Sequence, residues 1–490
     1  MSDPVRIHRP ESVAVASVPA DADATPLGPA PAPALRVPVE FAAPGSGTAD
    51  LAWGQMEIWL AMTRQGWLRL GGTKPLPPGT TVEEIADELR YLMERYPTMR
   101  TLLRFDENGR PTQELFGSGR VVLEVYDADG EDEKEHEDED ADAADRTVAA
   151  VLARYQSAPR DFTGEWPVRM AVVRRHGEPT HMVVQMCHLV TDGFGSRVML
   201  RESPERTATP VLGMQQLELA RWQCSEAGRR QHAAAERHWE RMLRSLEPIP
   251  LDARADPRTP RHWSGQLDSP ALYLAVPLIG ERTQANPSTV LLALYAIALG
   301  RTGIMRPAVI RPLVHNRFRR EIADTACNLV QSGICVLDVA DATVDEAVRR
   351  AERGARSAAK YAYFDSELMA ALFERMGREH GPHLGVWNFF NDRRSGSAVE
   401  PTGGPVTAGR LREAAGKSAF HWFDKKDNPW ERLFLHIEDG PESIALQVCA
   451  DTHCVSPGDL EAIARTMEAV AIEAALDPAA ATGVSAVAHV

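Results

Sequence analysis

The chain has 490 residues, of which 44% are hydrophobic and 25% are charged, and its formal net charge is −15. This length predicts two or three domain-sized units with the composition of an ordinary globular protein. The sequence contains no apolar run long enough for a membrane span, no secretory signal pattern and no basic stripe for nucleic acid, so we expect a cytoplasmic protein without a membrane or nucleic-acid partner.

The N-terminal half begins with residues 1–35, whose Pro- and Ala-rich composition predicts a flexible tail. Ordered structure is expected to start with an edge strand in "RVPVEF". Two helices should follow, in "LAWGQMEIWLAM" and in "TVEEIADELRYLMERYPTMRT". The apolar residues of the second helix recur at helical spacing and predict a buried stripe of Ile85, Leu89, Leu92 and Met93.

The negative charge is concentrated in one segment, residues 127–145, which holds twelve acidic residues and one lysine and therefore carries −11 of the −15. Like charges at this density repel each other and disfavour a packed core. We therefore predict a disordered, solvated insertion here, with a docking role for a partner as the alternative.

After this insertion the chain predicts a β-hairpin, because "VRMAVVRRH" and "THMVVQMCHL" are joined by the turn "HGEP". A long charged helix follows in "PVLGMQQLELARWQCSEAGRRQHAAAERHWERMLRSL". It ends at "EPIPLDARADPRTP", which is interpreted as a linker. We expect an N-terminal lobe over residues 36–247, a C-terminal lobe over 248–478 and a flexible tail over 479–490.

The C-terminal half alternates helix and strand patterns in the same way. Helices are predicted in "STVLLALYAIALGRTG", "TVDEAVRRAERGARSAAKYA" and "SPGDLEAIARTMEAVAIEAAL", and strands in "PAVIRPLVHNRF", "SGICVLDVA" and "HLGVWNFFNDRR". The segment "RLFLHIEDGPESIALQVCAD" predicts a second hairpin. The fold class is therefore α/β, with two mixed halves of about 200 residues each.

The cysteines form no Cys-x-x-Cys pair and are interpreted as reduced thiols. Cys449 and Cys454 flank His453, but a strand followed by a loop explains this spacing better than a metal site does. We therefore predict no metal.

The stretch "MVVQMCHLVTDGFGSRVML" places His188 at the end of an apolar strand, with Asp192 four residues later. A neutral imidazole accepts a proton near pH 7, so His188 is a candidate base. Gly193 and Gly195 permit unusual backbone angles, and Gly193 would let a substrate approach the backbone. By itself this spacing favours a core histidine followed by an Asp-Gly turn over a catalytic site.

Four segments in one order change that balance. "MCHLVTDGFGS" resembles the HHxxxDG motif of condensation domains from nonribosomal peptide synthetases, and "RYPTMRT" resembles their RHExLRT motif, which contains Arg100 here. "LAWGQMEIWL" resembles the opening motif of that family, and "VHNRFRREIADTACNLVQSGI" resembles the region of its Asn-Arg and Val-Asn elements. The resemblance spans about residues 36–475.

The resemblance implies two chloramphenicol-acetyltransferase-like lobes that form a V-shaped pseudo-dimer with a central tunnel. His188 would act as the base or proton shuttle, and Asp192 would be structural and paired with an arginine, for which Arg317 is the candidate. Gly193 would help admit the donor or stabilise the oxyanion, and Asn388 would hydrogen-bond the intermediate.

One position departs from the family motif, because Cys187 stands where the family has its first histidine. Thiolates attack thioesters, so a nucleophilic Cys187 is chemically possible. A small buried thiol that replaces a supporting histidine is the more economical interpretation.

The implied activity is that of a free-standing condensation enzyme in natural-product biosynthesis. It would transfer an acyl or aminoacyl group from a carrier-protein phosphopantetheine thioester to an amine or hydroxyl acceptor, which is a small molecule or is itself carrier-bound. The phosphopantetheine arm is then the donor tether, no cofactor is permanently bound, and a monomer is expected. The alternatives are a coenzyme A-dependent acyltransferase, a non-catalytic domain that recruits partners to a carrier protein, and an epimerase.

Overall fold

The structure is a computed structural model, and it describes most of the chain in nine segments. These are residues 32–66, 68–128, 137–207, 211, 213–246, 255–380, 385–394, 404–427 and 431–486. The predicted N-terminal tail up to residue 31 and most of the predicted linker, residues 247–254, lie outside the described residues. No helix in the segments named above is long and apolar enough to cross a bilayer.

In the described residues of the first half of the chain there are eight strands and six α-helices. They are β1 Leu35–Ala42, β2 Gly47–Asp50, α1 Trp53–Gln65, β3 Arg69–Pro75, α2 Val82–Arg95, β4 Thr101–Phe105, β5 Pro111–Leu115, β6 Ser118–Asp127, α3 Glu137–Ser157, β7 Val168–Arg175, β8 Glu178–Cys187, α4 Gly193–Glu202, α5 Gln216–Gln223 and α6 Glu226–Arg244.

The second half follows with further strands and helices. They are β9 His262–Ser269, α7 Pro270–Thr283, α8 Pro287–Arg301, β10 Ala308–Val314, β11 Gln331–Ser332, β12 Cys335–Leu337, α9 Val344–Lys360, α10 Ser366–His380, β13 Asn388–Asp392, α11 Ala408–Ala415, β14 Ala419–Lys426, β15 Leu433–Gly440, β16 Ser443–Asp451 and α12 Pro457–Leu476.

The N-terminal sheet has the strand order β1-β6-β7-β8-β3, and β1 is an edge strand as predicted. Helix α2 buries the predicted stripe of Ile85, Leu89, Leu92 and Met93 against this sheet. Strands β7 and β8 form the predicted hairpin, and β8 runs through the sheet interior to its end at Cys187. The hairpin therefore delivers His188 to the sheet margin.

The C-terminal sheet has the order β11-β10-β13-β15-β16-β9-β14, with β12 paired to β10. Helices α7, α8, α9 and α12 cover one of its faces and enclose the largest apolar core. Helix α8 is buried almost all round, which is why its sequence is apolar without a polar stripe.

The acidic insertion was predicted incorrectly in its second part. Residues 129–136 lie outside the described residues, but residues 137–145 form the beginning of helix α3. Acidic residues are favourable at a helix N-terminus, where the helix dipole is positive. Further along the same helix, Val151 and Tyr155 pack on the sheet, and the Tyr155 hydroxyl donates to Glu124 at 2.9 Å.

Two boundaries also differ from the prediction. The expected long helix is divided into α5 and α6 at Cys224 and Ser225, and the Ser225 hydroxyl caps α6. Although α6 precedes the predicted lobe boundary, its Trp239 and Leu243 belong to the C-terminal core. The predicted tail is ordered through residue 486, because Val484 is buried and the Arg301 side chain donates to the Thr482 carbonyl.

Candidate active site

The loop after β8 carries the candidate base. His188 follows the buried Cys187, and its backbone N–H donates to the Leu68 carbonyl at 2.9 Å. Its side chain is partly exposed, whereas the neighbouring residues Leu189 and Val190 are buried. The strand end therefore fixes the backbone and leaves one imidazole edge accessible.

The ring of His188 is oriented through Nδ1. This nitrogen lies 3.0 Å from the Thr191 carbonyl oxygen. A proton on Nδ1 would be donated to this carbonyl and would leave Nε2 as the basic nitrogen, although the Asn328 amide nitrogen, itself a donor, lies equally close to Nδ1. Nε2 has no hydrogen bond to any described residue. Burial lowers the pKa of His188 below its ordinary value, and the Asp192 carboxylate partly opposes that shift, so the ring is neutral at pH 7.

The Asp192 carboxylate is structural, because it is fully buried and each of its oxygens accepts two hydrogen bonds. One oxygen accepts from the backbone N–H groups of Phe194 and Gly195 and caps α4. The other accepts from Arg317 at 2.8 Å and from the Leu329 N–H at 2.9 Å. Asp192 thus connects the loop of one lobe to the other lobe and does not contact the His188 ring nitrogens directly.

The predicted partner Arg317 is present at this position and is as buried as Asp192, with side-chain exposures of 1% and 0%. Its guanidinium also donates to the carbonyls of Thr325 and Cys327, both at 2.9 Å through Nη2. A buried pair with every donor directed at an acceptor is rigid, and removing one partner leaves an uncompensated charge.

Asn328 contributes to the site and was missed by the sequence prediction. Its amide nitrogen lies 3.0 Å from both Nδ1 and the carbonyl oxygen of His188. Asn328 lies in "TACNLVQSGI", the segment that carries the resemblance, but no local spacing connects it to a residue 140 positions away. Only the packing of the two lobes reveals this contact.

Neither Gly193 nor Gly195 has a positive φ, so the unusual backbone angles that glycine permits are not used here. Gly193 is exposed, and a Cβ built there meets no atom within 4 Å. Gly195 is required by packing, since a Cβ there would lie 2.3 Å from the Ala326 carbonyl oxygen and from the Thr191 hydroxyl. Open space beside Gly193 is compatible with an approaching substrate.

Cys187 is fully buried, and burial raises the pKa of its thiol to about 11. A thiol of this kind is protonated at pH 7 and does not act as a nucleophile. Cys187 packs with Met56 and Leu189 and lines a small internal cavity, which fits a residue that fills the supporting position.

Two further predicted residues lie away from any substrate. Asn388 begins β13 and does not end a strand, and it is fully buried. Its amide accepts from Tyr295 and donates to the Val309 carbonyl, so the predicted contact with a reaction intermediate is wrong. Arg100 is also buried, and its guanidinium donates to the backbone carbonyls of Pro44, Gly45 and Phe116.

The remaining chemistry of the site is that of an isolated base. The described residues contain no group of three His, Cys, Asp or Glu side chains placed to hold a metal ion. A neutral, partly exposed histidine whose Nε2 has no partner among the described residues is suited to moving one proton between two bound reactants.

The sequence and the structure both match known proteins. A family model described as "Condensation domain" matches residues 76–385, which is more than half of the chain. Cyclosporin synthetase from Tolypocladium inflatum is 24% identical over 360 residues, covering 68% of this chain. The chain spans only 2% of the length of that synthetase.

Among solved structures, the chain is similar to a condensation domain that mediates chain release from the enacyloxin polyketide synthase. The TM-score is 0.66 at 18% identity, and the match covers 92% of this chain and 85% of the other. The X-domain from teicoplanin biosynthesis has a TM-score of 0.63 at 16% identity, with 91% and 99% covered. At these identities the likeness shows the fold, and it confirms the predicted mixed α/β class of chloramphenicol-acetyltransferase type; the V shape and the tunnel stay predictions.

Proposed function

The chain belongs to the condensation-domain family, and from that premise we propose that it is an acyltransferase in natural-product biosynthesis. The donor is an acyl or aminoacyl thioester on the phosphopantetheine arm of a carrier protein. The acceptor is an amine or a hydroxyl group. The observation that supports this proposal is the His188 ring, whose Nδ1 lies 3.0 Å from the Thr191 carbonyl oxygen while Nε2 has no partner among the described residues.

In the proposed reaction Nε2 of His188 takes the proton from the acceptor nitrogen or oxygen as that atom attacks the thioester carbonyl carbon. The tetrahedral intermediate collapses, the carbon–sulfur bond breaks, and the departing thiolate receives the proton from the imidazolium. The product is an amide or an ester together with the free pantetheine thiol. General base catalysis of this kind contributes about 10²- to 10⁴-fold to the rate.

The surrounding residues would act by positioning. Asp192, Arg317 and Asn328 hold the loop and the histidine backbone across the two lobes. Gly193 leaves room for the donor arm beside the base. Orientation of two bound reactants supplies a further large part of the acceleration in reactions between two large substrates.

The proposal is tested with His188→Ala and the control His453→Ala, since His453 is exposed on the loop after β16. Product formation is followed by intact mass spectrometry with loaded carrier proteins and, separately, with coenzyme A thioesters. We expect His188→Ala to lower turnover at least 100-fold with an unchanged circular dichroism spectrum, while His453→Ala keeps its activity.

The acid side of the pH profile gives a second measurement. Because burial lowers the pKa of His188, the base form persists below the pH at which a free histidine is protonated. The acid limb of kcat/KM should therefore fall at an apparent pKa below about 6.5. Unchanged turnover in His188→Ala would contradict the catalytic role, and turnover with coenzyme A thioesters alone would favour the coenzyme A alternative.

A further inference from the structure

One face of the C-terminal sheet is polar but only partly exposed. On β15, Leu435 points into the helix-covered core, and His436 lies on the opposite face because successive strand residues alternate. The strand registers place Asn391 of β13, His436 of β15, Gln447 of β16 and Gln266 of β9 side by side. These four residues are called the polar row.

The N-terminal lobe lies over the same face. Glu57 of helix α1 is 3.9 Å from Arg311, whose guanidinium lies 4.5 Å from the Phe389 ring centroid. Phe389 in turn contacts Phe434, with ring centroids 5.2 Å apart, on the face that carries the polar row.

Helix α1 also reaches the loop that carries His188, because the Gln55 amide donates to the Leu189 carbonyl at 3.1 Å. Burial lowers the pKa of both His188 and His436, and the charge of Arg393, which follows β13, adds to this effect in each. Helix α1 therefore contacts both the loop of His188 and, through Arg311, the face of the C-terminal sheet that carries the polar row.

His436 is held so that one ring nitrogen is left for a ligand. Its ring stacks on Phe434 with centroids 3.9 Å apart, and Asn391 Nδ2 lies 3.4 Å from Nδ1. An amide nitrogen only donates, so Nδ1 is the acceptor and the proton resides on Nε2. Nε2 has no hydrogen-bond partner in the described part of the chain, and the residue retains 9% exposure.

The charges beside His436 are already balanced. Arg393 lies 2.7 Å from Glu438 and donates to the Gln447 side-chain oxygen at 3.1 Å. Gln447 then donates to Gln266 at 2.9 Å. A charged ligand would lose its hydration here without gaining an opposite charge, whereas an uncharged oxygen would gain a hydrogen bond.

We propose that His436 and the polar row form a substrate-recognition subsite, in which the His436 Nε2–H donates to an uncharged oxygen, such as a hydroxyl or carbonyl oxygen, on the acyl donor or on the acceptor. This inference rests on the proposed function, because it assigns a substrate class to the proposed acyl transfer. His436 is a specificity-determining residue in this proposal and takes no part in proton transfer.

The test uses the full chain carrying His188→Ala, in which ligands bind without reacting, and calorimetry as the readout. In the donor arm the ligands are 3-hydroxyoctanoyl and octanoyl N-acetylcysteamine thioesters. In the acceptor arm they are 4-aminobutanol and butylamine. We expect the oxygen-bearing member to bind about tenfold more tightly in one arm, which also identifies the substrate recognised.

Three further substitutions in the same background separate recognition from a structural effect. His436→Phe retains the ring stack and should abolish the preference, and His436→Gln, which restores an N–H donor, should recover part of it. His453→Phe is the matched control and should keep the full preference. Equal affinity or no binding in both arms, or a preference that survives in His436→Phe, would overturn the proposal.

The two proposals fail in different ways. If His188→Ala still turns over substrate while the His436-dependent preference is present, the catalytic proposal is wrong and the subsite stands. If His188→Ala abolishes turnover and no preference is found, the subsite proposal is wrong and the catalytic one stands.

Discussion

At the residue scale, the Asp-Gly pair after His188 combines a structural residue with an open position. The Asp192 carboxylate has no capacity left for proton transfer, since its donors are two helix amides, one further backbone N–H and a buried arginine. The negative charge of Asp192 is tolerated in this buried position because Arg317 compensates it. The hydrogen bonds to both carboxylate oxygens fix the conformation of the loop. Gly193, in contrast, borders open space.

The two glycines of this loop allow a matched prediction. In Gly193→Ala the added methyl group has no atom within 4 Å, so the melting temperature should be unchanged. If the donor approaches His188 past this position, the methyl group narrows its path, and KM for the thioester should rise. Gly195→Ala would place its Cβ 2.3 Å from two oxygen atoms and should lower the melting temperature by several degrees. Thermal melting and steady-state kinetics check both results; the reverse pattern would contradict this assignment.

At the element scale, the β7–β8 hairpin determines where the base lies. Its turn consists of His176 and Gly177, with φ of 49° and 81°, and both values are in the left-handed region. A two-residue turn of this kind matches the twist of the strands and fixes their register. The register then carries through β8 to His188.

The predicted consequence concerns Gly177. Gly177→Val forces a β-branched residue into the left-handed region and should destabilise the protein by about 1–2 kcal/mol, whereas Gly177→Asn should be nearly neutral. Urea unfolding followed by tryptophan fluorescence measures both. Equal stability of the two variants would show that the turn does not depend on this backbone conformation.

The errors at this scale also have physical causes. The acidic composition of residues 137–145 predicts repulsion, but the helix dipole and the packing of Tyr155 further along α3 favour a helix. The continuous helical pattern of residues 216–244 hides the cap at Ser225, because a serine inside a charged segment gives a weak stop signal.

At the scale of the whole molecule, the two lobes are joined by buried polar contacts as well as by apolar packing. In addition to the Asp192–Arg317 pair, Gln223 donates to the Tyr363 hydroxyl at 2.7 Å, and the Ser366 hydroxyl donates to the Trp53 carbonyl at 3.0 Å. His188 is partly exposed and His436 is buried, and both rings are neutral at pH 7 because desolvation lowers the pKa of each.

Acid should therefore destabilise the molecule. A histidine whose pKa is lower in the folded state than in the unfolded state binds its proton preferentially after unfolding. Its contribution to the free energy of unfolding is therefore complete above the unfolded pKa of about 6.5 and is lost as the pH falls below that value. The loss is up to about 1.4 kcal/mol per pH unit for each such histidine.

The measurement compares melting temperatures at pH 7.5 and pH 5.5. His436→Phe removes one of these groups and should show a smaller decrease than the native chain, whereas His453→Phe should show the native decrease. An identical decrease in all three proteins would mean that the buried histidines do not control acid stability.

The sequence by itself determined most of the elements, the fold class and the candidate base. Periodicity is a local property, so β1, α2, the β7–β8 hairpin and the position of His188 at a strand end were all predictable. The ordered motifs added the family. The free-standing state and the monomer stay predictions.

Only the tertiary structure decided which residues surround His188. The partners of Asp192 and His188 lie 125 and 140 positions away, at Arg317 and Asn328, and no spacing rule reaches across two lobes. Asn388 was assigned to the site as an Asn at a strand end, yet the fold directs its amide into the core. Conversely, His436 lies in a pattern that predicts only a hairpin strand, and only the sheet register places it beside Asn391 and Gln447.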